Sequence, residues 1–353
     1  MKREKRSLIK YVLLIGVAII LMAVFLPRNY DVPLLHERAG TQYWQLPTGS
    51  RIAFTEVPAK KNKKPFPIIY LHGGPGGHIK DDIISSLSPL ADEGFDMYFY
   101  DQVGGGLSGR LNDITNYTVD RHIRDLAAIT EKLGARKVIL IGQSWGAILA
   151  TLFAAKYPEK IERLVLTSPG PIFPVNNKLA GHSAPDSFHL RAPVFTNAQG
   201  NKKANNIRTK AMNFFATHFG WKLASDQEAD AFATYLNYEV DKSTVCDTSK
   251  ILNMDAGSGY YAGIMTFNNL LGVQDARPAF SQLKMPVLVM KGQCDNQPWG
   301  YTNEYLSIFK NHQLSIIPGA GHALLAEQPA LYLRTIKEFV NDTTAAPMPV
   351  FTK

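Results

Sequence analysis

Six short apolar runs, each closed by turn residues, recur along this chain at 67–74 (PIIYLHGG), 96–102 (DMYFYDQ), 137–144 (KVILIGQS), 163–170 (RLVLTSPG), 286–292 (PVLVMKG) and 314–321 (LSIIPGAG). They are continuous rather than alternating, so both faces of each strand must be covered, as in a mostly parallel sheet. Helical patterns lie between several of them. In 118–134 the residues Ile123, Leu126, Ile129 and Leu133 return at three- and four-residue steps before Gly134, which predicts an amphipathic helix with a glycine stop. A second helix is expected over 145–160, ended near Pro158, and a third over 329–342 with Pro329 in its first turn. Strands alternating with helices define an α/β fold around a parallel sheet.

The alternation breaks once. Between Pro171 and Pro278 no buried strand is legible, only polar stretches such as 197–206 and helical segments at 211–222 and 228–240. This predicts a helical cap, 171–278, inserted between two strands of a core made of 41–170 and 279–342. Residues 343–353 are expected to form a tail.

The amino end has a different physics. The chain of 353 residues carries a formal charge of +8, and Lys2, Arg3, Lys5, Arg6 and Lys10 against Glu4 supply half of it. What remains is too thin and scattered for a nucleic-acid groove. Tyr11 to Leu26 is uncharged, and counting back to Leu8 gives nineteen residues. At a rise of ~1.5 Å per residue these reach about 28 Å, near the roughly 30 Å of a bilayer core. No small-x-small cleavage site follows Ala23. The expectation is a single-pass signal anchor at 1–26 and a stalk at 27–40, with the folded domain on the extracytoplasmic side. With 45% hydrophobic and 19% charged residues, the rest is ordinary globular chain, neither disordered nor collagen-like. Cys246 and Cys294 are too few for a disulfide framework; one bridge between them is open in an oxidising compartment. No zinc-type spacing occurs anywhere in the chain.

The run KVILI leads into Gly142-Gln143-Ser144-Trp145-Gly146, a G-x-S-x-G pattern between a strand and a helix. That context thrusts a serine out on a sharp turn, with free helix N–H groups beside it. Serine is a weak nucleophile at neutral pH and needs a base held by a carboxylate. With the elbow in this setting the order is nucleophile, acid, histidine. His322 follows the last strand, whereas the other histidines precede the serine, lie in the cap or stalk, or come before that strand. Asp295 follows PVLVMKGQC directly and is the expected acid. The oxyanion hole is expected from the N–H groups of Trp145 and Gly74, with Gly73 beside it at the substrate. The loop HGGPGG lacks the lysine of a phosphate-binding loop. Asp101, opening DQVGGGLSG, is expected to order the site loops.

Together, His72-Gly-Gly-Pro-Gly76, Asp101-Gln-Val-Gly-Gly-Gly-Leu-Ser108, Gly142-Gln-Ser-Trp-Gly146 and Gly321-His322 resemble the proline iminopeptidase branch of the α/β-hydrolases. The resemblance spans nearly all of 41–341 and is weakest in the cap. It implies an α/β-hydrolase fold and a cofactor-free serine peptidase that removes an N-terminal residue, often proline, from short peptides. Members of that family hold the substrate's α-amine on cap glutamates. Glu239 stands where the first is expected; no glutamate lies between Glu239 and Glu304, and only Asp255 is near the place of the second. Gln143 replaces the usual glycine before the nucleophile. An esterase or lactonase using the same triad is the alternative substrate class. The alternative of another kind is a catalytically silent, membrane-tethered binding module.

Overall fold

A computed structural model of the protein describes residues 2–342; the tail expected at 343–353 lies outside the described residues. The six apolar runs form β3 (Ile68–Leu71), β4 (Met97–Tyr100), β5 (Val138–Gln143), β6 (Ile161–Thr167), β7 (Val287–Gly292) and β8 (His312–Ile317), preceded by β1 (Thr41–Gln45) and β2 (Arg51–Val57). The sheet order is β1-β2-β4-β3-β5-β6-β7-β8, with β1 and β2 antiparallel at one edge and the rest parallel. Side chains alternate between two cores. Ile69, Leu71, Val138 and Leu140 enter one, and Ile68, Tyr70, Ile139 and Ile141 the other, as the two-residue period of a strand requires.

Helices flank both faces. After α1 (Lys2–Phe25) and α2 (Asp81–Leu87) come α3 (Val119–Lys132) and α4 (Trp145–Lys156). Thr118 caps α3 by accepting from the Arg121 N–H, Asp120 lies in the first turn and Lys132 in the last, each favourable to the helix dipole. The insertion between β6 and β7 carries α5 (Asn197–Ala204), α6 (Ile207–Phe219), α7 (Asp226–Asp241), α8 (Tyr260–Leu270) and the short α9 (Arg277–Phe280). The chain closes with α10 (Trp299–Ile308), α11 (Leu324–Glu327) and α12 (Pro329–Asn341). Because β3 to β8 run parallel, the loops leaving their carboxyl ends gather along one edge, beneath the inserted helices.

The amino-terminal segment forms the helix α1, and its apolar residues from Ile9 to Leu26 are largely exposed. Its last turn is tied to the cap: the buried Arg208 donates to the Val24 carbonyl at 2.6 Å and to Glu228 at 2.6 Å, while the Arg28 N–H donates to Glu228 at 2.9 Å. The transmembrane expectation for this segment finds no support in the helix itself: among the described residues no helix is long and apolar enough to cross a membrane.

Candidate active site

β5 delivers Ser144 to the sheet edge. The serine sits at φ 54° and ψ −115° at the amino end of α4, a left-handed conformation costly for a residue with a side chain and found where function over-determines it. The turn is this tight because a Cβ on Gly146 would strike the Leu71 carbonyl, so only glycine lets α4 start so close to β3. The Ser144 N–H donates to the Thr167 carbonyl at 3.0 Å, fastening the elbow to β6.

Asp295 and His322 come together across 27 residues of sequence: His322 Nδ1 donates to Asp295 Oδ1 at 2.9 Å. The acid's Oδ1 also accepts the Gln297 N–H at 3.0 Å, and its Oδ2 accepts from Lys291 Nζ at 3.1 Å. Burial alone would raise this carboxyl; the Lys291 ammonium, the imidazole and the Gln297 N–H hold it well below the usual carboxylate range. An ionised Asp295 only accepts, so the proton of neutral His322 rests on Nδ1 and Nε2 keeps its lone pair. Ser144 and His322 line the same cavity. No hydrogen bond joins them among the described residues, and such contacts often close only around substrate. Lys291 was missed by sequence reasoning. Its signal was position alone, four residues before an acid that follows a strand end.

The loop after β3 runs over the serine. Gly73 lies against the Gln143 amide and the Ser144 Cβ, and Gly74 takes φ 124°, a region favouring glycine. Trp145 is the first residue of α4, so its N–H has no partner within the helix. Trp145 is thus part of the elbow itself, and Gly74 lines the same cavity as Ser144. Their scaffold is a buried network: the Trp145 indole donates to Gln102 Oε1 at 2.8 Å, the Gln102 N–H to His72 Nε2 at 2.9 Å, and His72 Nδ1 to the Gly73 carbonyl at 2.8 Å. Burial lowers the His72 imidazole to about 4, keeping it neutral and able to play both parts. Asp101 accepts the N–H of Ile79 at 2.7 Å and of Leu107 at 2.8 Å and pairs with Arg38 at 3.0 Å. It orders two glycine-rich loops at once, the role expected of it.

The cap acids fall differently. Glu239 does not line the cavity; its carboxylate pairs with Lys203 at 2.9 Å and Lys242 at 2.6 Å. Burial opposes ionisation there, and the two lysines still hold its carboxyl below the usual range. The expectation that Glu239 receives a substrate amine is corrected by helix phase. At ~100° per residue, Glu239 and Asp241 point to opposite sides of α7. Thr234, Asn237, Tyr238, Val240 and Asp241 line the cavity; at ~100° per residue they share one side of the helix, with 239 on the opposite side. Asp241 is partly buried, and burial pushes its carboxyl up against the lowering influence of Lys80, His322 and His78. Asp255 does line the cavity, held by His78 at 3.3 Å with Lys80 at 4.0 Å, and the His78 bond lowers its carboxyl. Asp81, Asp82 and Asn296 add further polar groups to a cavity of about 1010 Å³. Cys246 and Cys294, left open as a pair by the sequence, are bonded as a disulfide. Among the described residues no cluster of three metal-ligating side chains occurs.

A sheet of this order, a serine elbow leaving β5 and an acid and histidine after β7 and β8 define a hydrolase of the α/β class. A family model described as alpha/beta hydrolase fold matches residues 67–329, well over half of the chain, and this protein belongs to that family. Within it the chain is proline iminopeptidase-like and is a serine hydrolase. It is 24% identical over 297 residues to a proline iminopeptidase of Heyndrickxia coagulans, covering 83% of this chain and 96% of that one. The crystal structure of proline iminopeptidase from Mycobacterium smegmatis matches with a TM-score of 0.56 at 20% identity, over 85% of this chain and 97% of that one. A thermophilic esterase from Thermogutta terrifontis matches with a TM-score of 0.60 at 19% identity, over 86% and 98%.

Proposed function

We propose that the protein is a serine aminopeptidase that releases an N-terminal proline or another small residue from short peptides. Ser144 is the nucleophile, His322 the base and Asp295 the residue that fixes its tautomer. The Ser144 hydroxyl loses its proton to His322 Nε2 as its oxygen attacks the scissile carbonyl. The oxyanion is received by the N–H groups of Gly74 and Trp145. His322 then protonates the departing amine, and water repeats the cycle on the acyl-enzyme.

The observation that carries the peptide reading is the acidic lining of the cavity that holds the serine. An ammonium leaving water needs a carboxylate partner, and Asp241 and Asp255 both line the cavity that Ser144 lines. Asp255 already has His78 and Lys80 beside it, so Asp241 is the better anchor for a substrate amine. An ester has no use for such a group. Prolyl and alanyl naphthylamides assayed beside short acyl nitrophenyl esters test this. Preferred turnover of the naphthylamides, weakened by Asp241→Asn, supports the peptidase. Preferred turnover of esters, indifferent to Asp241→Asn, would make the protein an esterase on the same triad, and no turnover of either with an unreactive Ser144 would make it a binding module.

The same proposal assigns the basic and apolar segment 1–26 to membrane tethering with the catalytic domain outside the cytoplasm. A disulfide that an oxidising compartment preserves supports the placement outside the cytoplasm. Retention of the chain in membranes washed with alkaline carbonate is the expected result; full release contradicts it.

A further inference from the structure

Cap residues 244–247 touch both loops that carry the acid and the base. Cys246 is bonded to Cys294, the residue immediately before Asp295. On the other side, the Thr244 carbonyl accepts the N–H of Ala323 at 3.0 Å, one residue after His322. Glu327, buried to 4% exposure, closes the arrangement: its carboxylate accepts the N–H of Gly321 at 2.6 Å, of Cys246 at 2.9 Å and of Asp247 at 3.0 Å. One carboxylate therefore binds the residue before His322 and two residues of the cap. The two loops also meet directly, the Cys294 N–H donating to the Ala320 carbonyl at 2.9 Å. A Cβ on Gly321 would collide with the Thr244 carbonyl, so the cap segment and the base loop approach as closely as backbones can.

We infer that 244–247 is a strap that holds Asp295 and His322 in register, with Glu327 and the Cys246–Cys294 disulfide as its two fastenings. Glu327 is a positioning residue: it acts on His322 through Gly321 and touches no reacting atom. This rests on the reading of Asp295 and His322 as acid and base. The physical reason is that the strap crosses from the cap to both loops. Neither loop can shift by an ångström without breaking a bond to it, and displacements of about 1 Å at reacting groups cost on the order of 100-fold in rate. Turnover is therefore coupled to the redox state of the pair. A dithiol reductant supplies two electrons and two protons, the S–S bond breaks to two thiols, and the dithiol closes to its own disulfide; the strap then keeps only Glu327 and the Thr244 carbonyl.

The full chain is assayed on whichever substrate class it turns over, before and after dithiothreitol, with the thiols counted by mass spectrometry. Reduction is expected to lower kcat roughly 10-fold with KM changed less than about twofold, and reoxidation to restore it. Glu327→Gln should lower kcat similarly, and reduction of that variant should add less than a further 10-fold, because both act on one strap. A Cys246→Ser, Cys294→Ser double variant should be slow and indifferent to dithiothreitol. Unchanged kcat after complete reduction overturns the inference. So does a loss confined to KM, or one that tracks a collapse of the cooperative thermal transition, which would make the bonds merely structural. Ser144→Ala separates this failure from the other: if it keeps turning over, the reading of the site is wrong whatever dithiothreitol does.

Discussion

The carboxyl edge of the sheet and the cavity face of α7 both contribute functional groups to one site, His322 and Asp241 lining its cavity, but they are specified in different ways. At the sheet edge, position is topological. A residue that ends a parallel strand must emerge at that edge, so Asp295 after β7 and His322 after β8 meet at 2.9 Å despite their separation in sequence. On α7, position is a matter of phase. Two residues on the same helix turn share a sequence neighbourhood and face opposite ways, so Glu239 finds Lys203 and Lys242 while Asp241 finds the cavity. Strand-end chemistry can be read from order along the chain; helix-face chemistry needs the rotation of the helix against its neighbours.

The sharpest way to break this contrast is at the sheet edge. Ser144→Ala should lower kcat by about 10⁴-fold or more in a folded protein, judged from hydrolases of the same logic, as measured by single-turnover kinetics. Next comes the buried pair behind the acid. Lys291 and Asp295 are 2% and 0% exposed, and Lys291→Met leaves a buried carboxylate without its cation, which should cost about 4 kcal/mol of stability in urea unfolding. A loss below 1 kcal/mol would mean that the imidazole and the Gln297 N–H suffice.

The scaffold of the oxyanion loop has its own signature in pH. The His72 imidazole is lowered from 6.5 to about 4 by burial, so the unfolded chain takes up its proton first as pH falls. Stability attributable to a neutral His72 is therefore complete above about pH 6.5 and declines down to about pH 4, by roughly 3 kcal/mol. Urea midpoints that stay flat across this window would show that the ring is not held neutral. On the cap, Asp241→Asn should weaken amine-bearing substrates by about 2 kcal/mol, some 30-fold in kcat/KM. Glu239→Gln should change it less than about twofold. Equal effects at the two positions would erase the distinction between the faces of α7.

The same contrast explains what was legible in the sequence. Continuous apolar runs carry the parallel sheet because both faces are buried, and the six runs fall on β3 to β8. The elbow was legible because G-x-S-x-G between a strand and a helix has one geometry. The network from Trp145 through Gln102 to His72 was not, since it joins three loops whose distances only the fold supplies. Glu327 and Lys291 escaped for a related reason. Each acts through backbone N–H groups or through another charge, and neither pattern leaves a spacing to recognise. The disulfide needed the fold as well, because its partners come from the cap and from the loop after β7.

The central claim, that Ser144 is a nucleophile activated by the His322–Asp295 pair, is tested most directly by a fluorophosphonate probe with the adduct mapped by peptide mass spectrometry. The account predicts a single adduct on Ser144, absent in Ser144→Ala and formed far more slowly in Asp295→Asn. A folded protein that leaves Ser144 unlabelled, or that labels equally fast without Asp295, would contradict it.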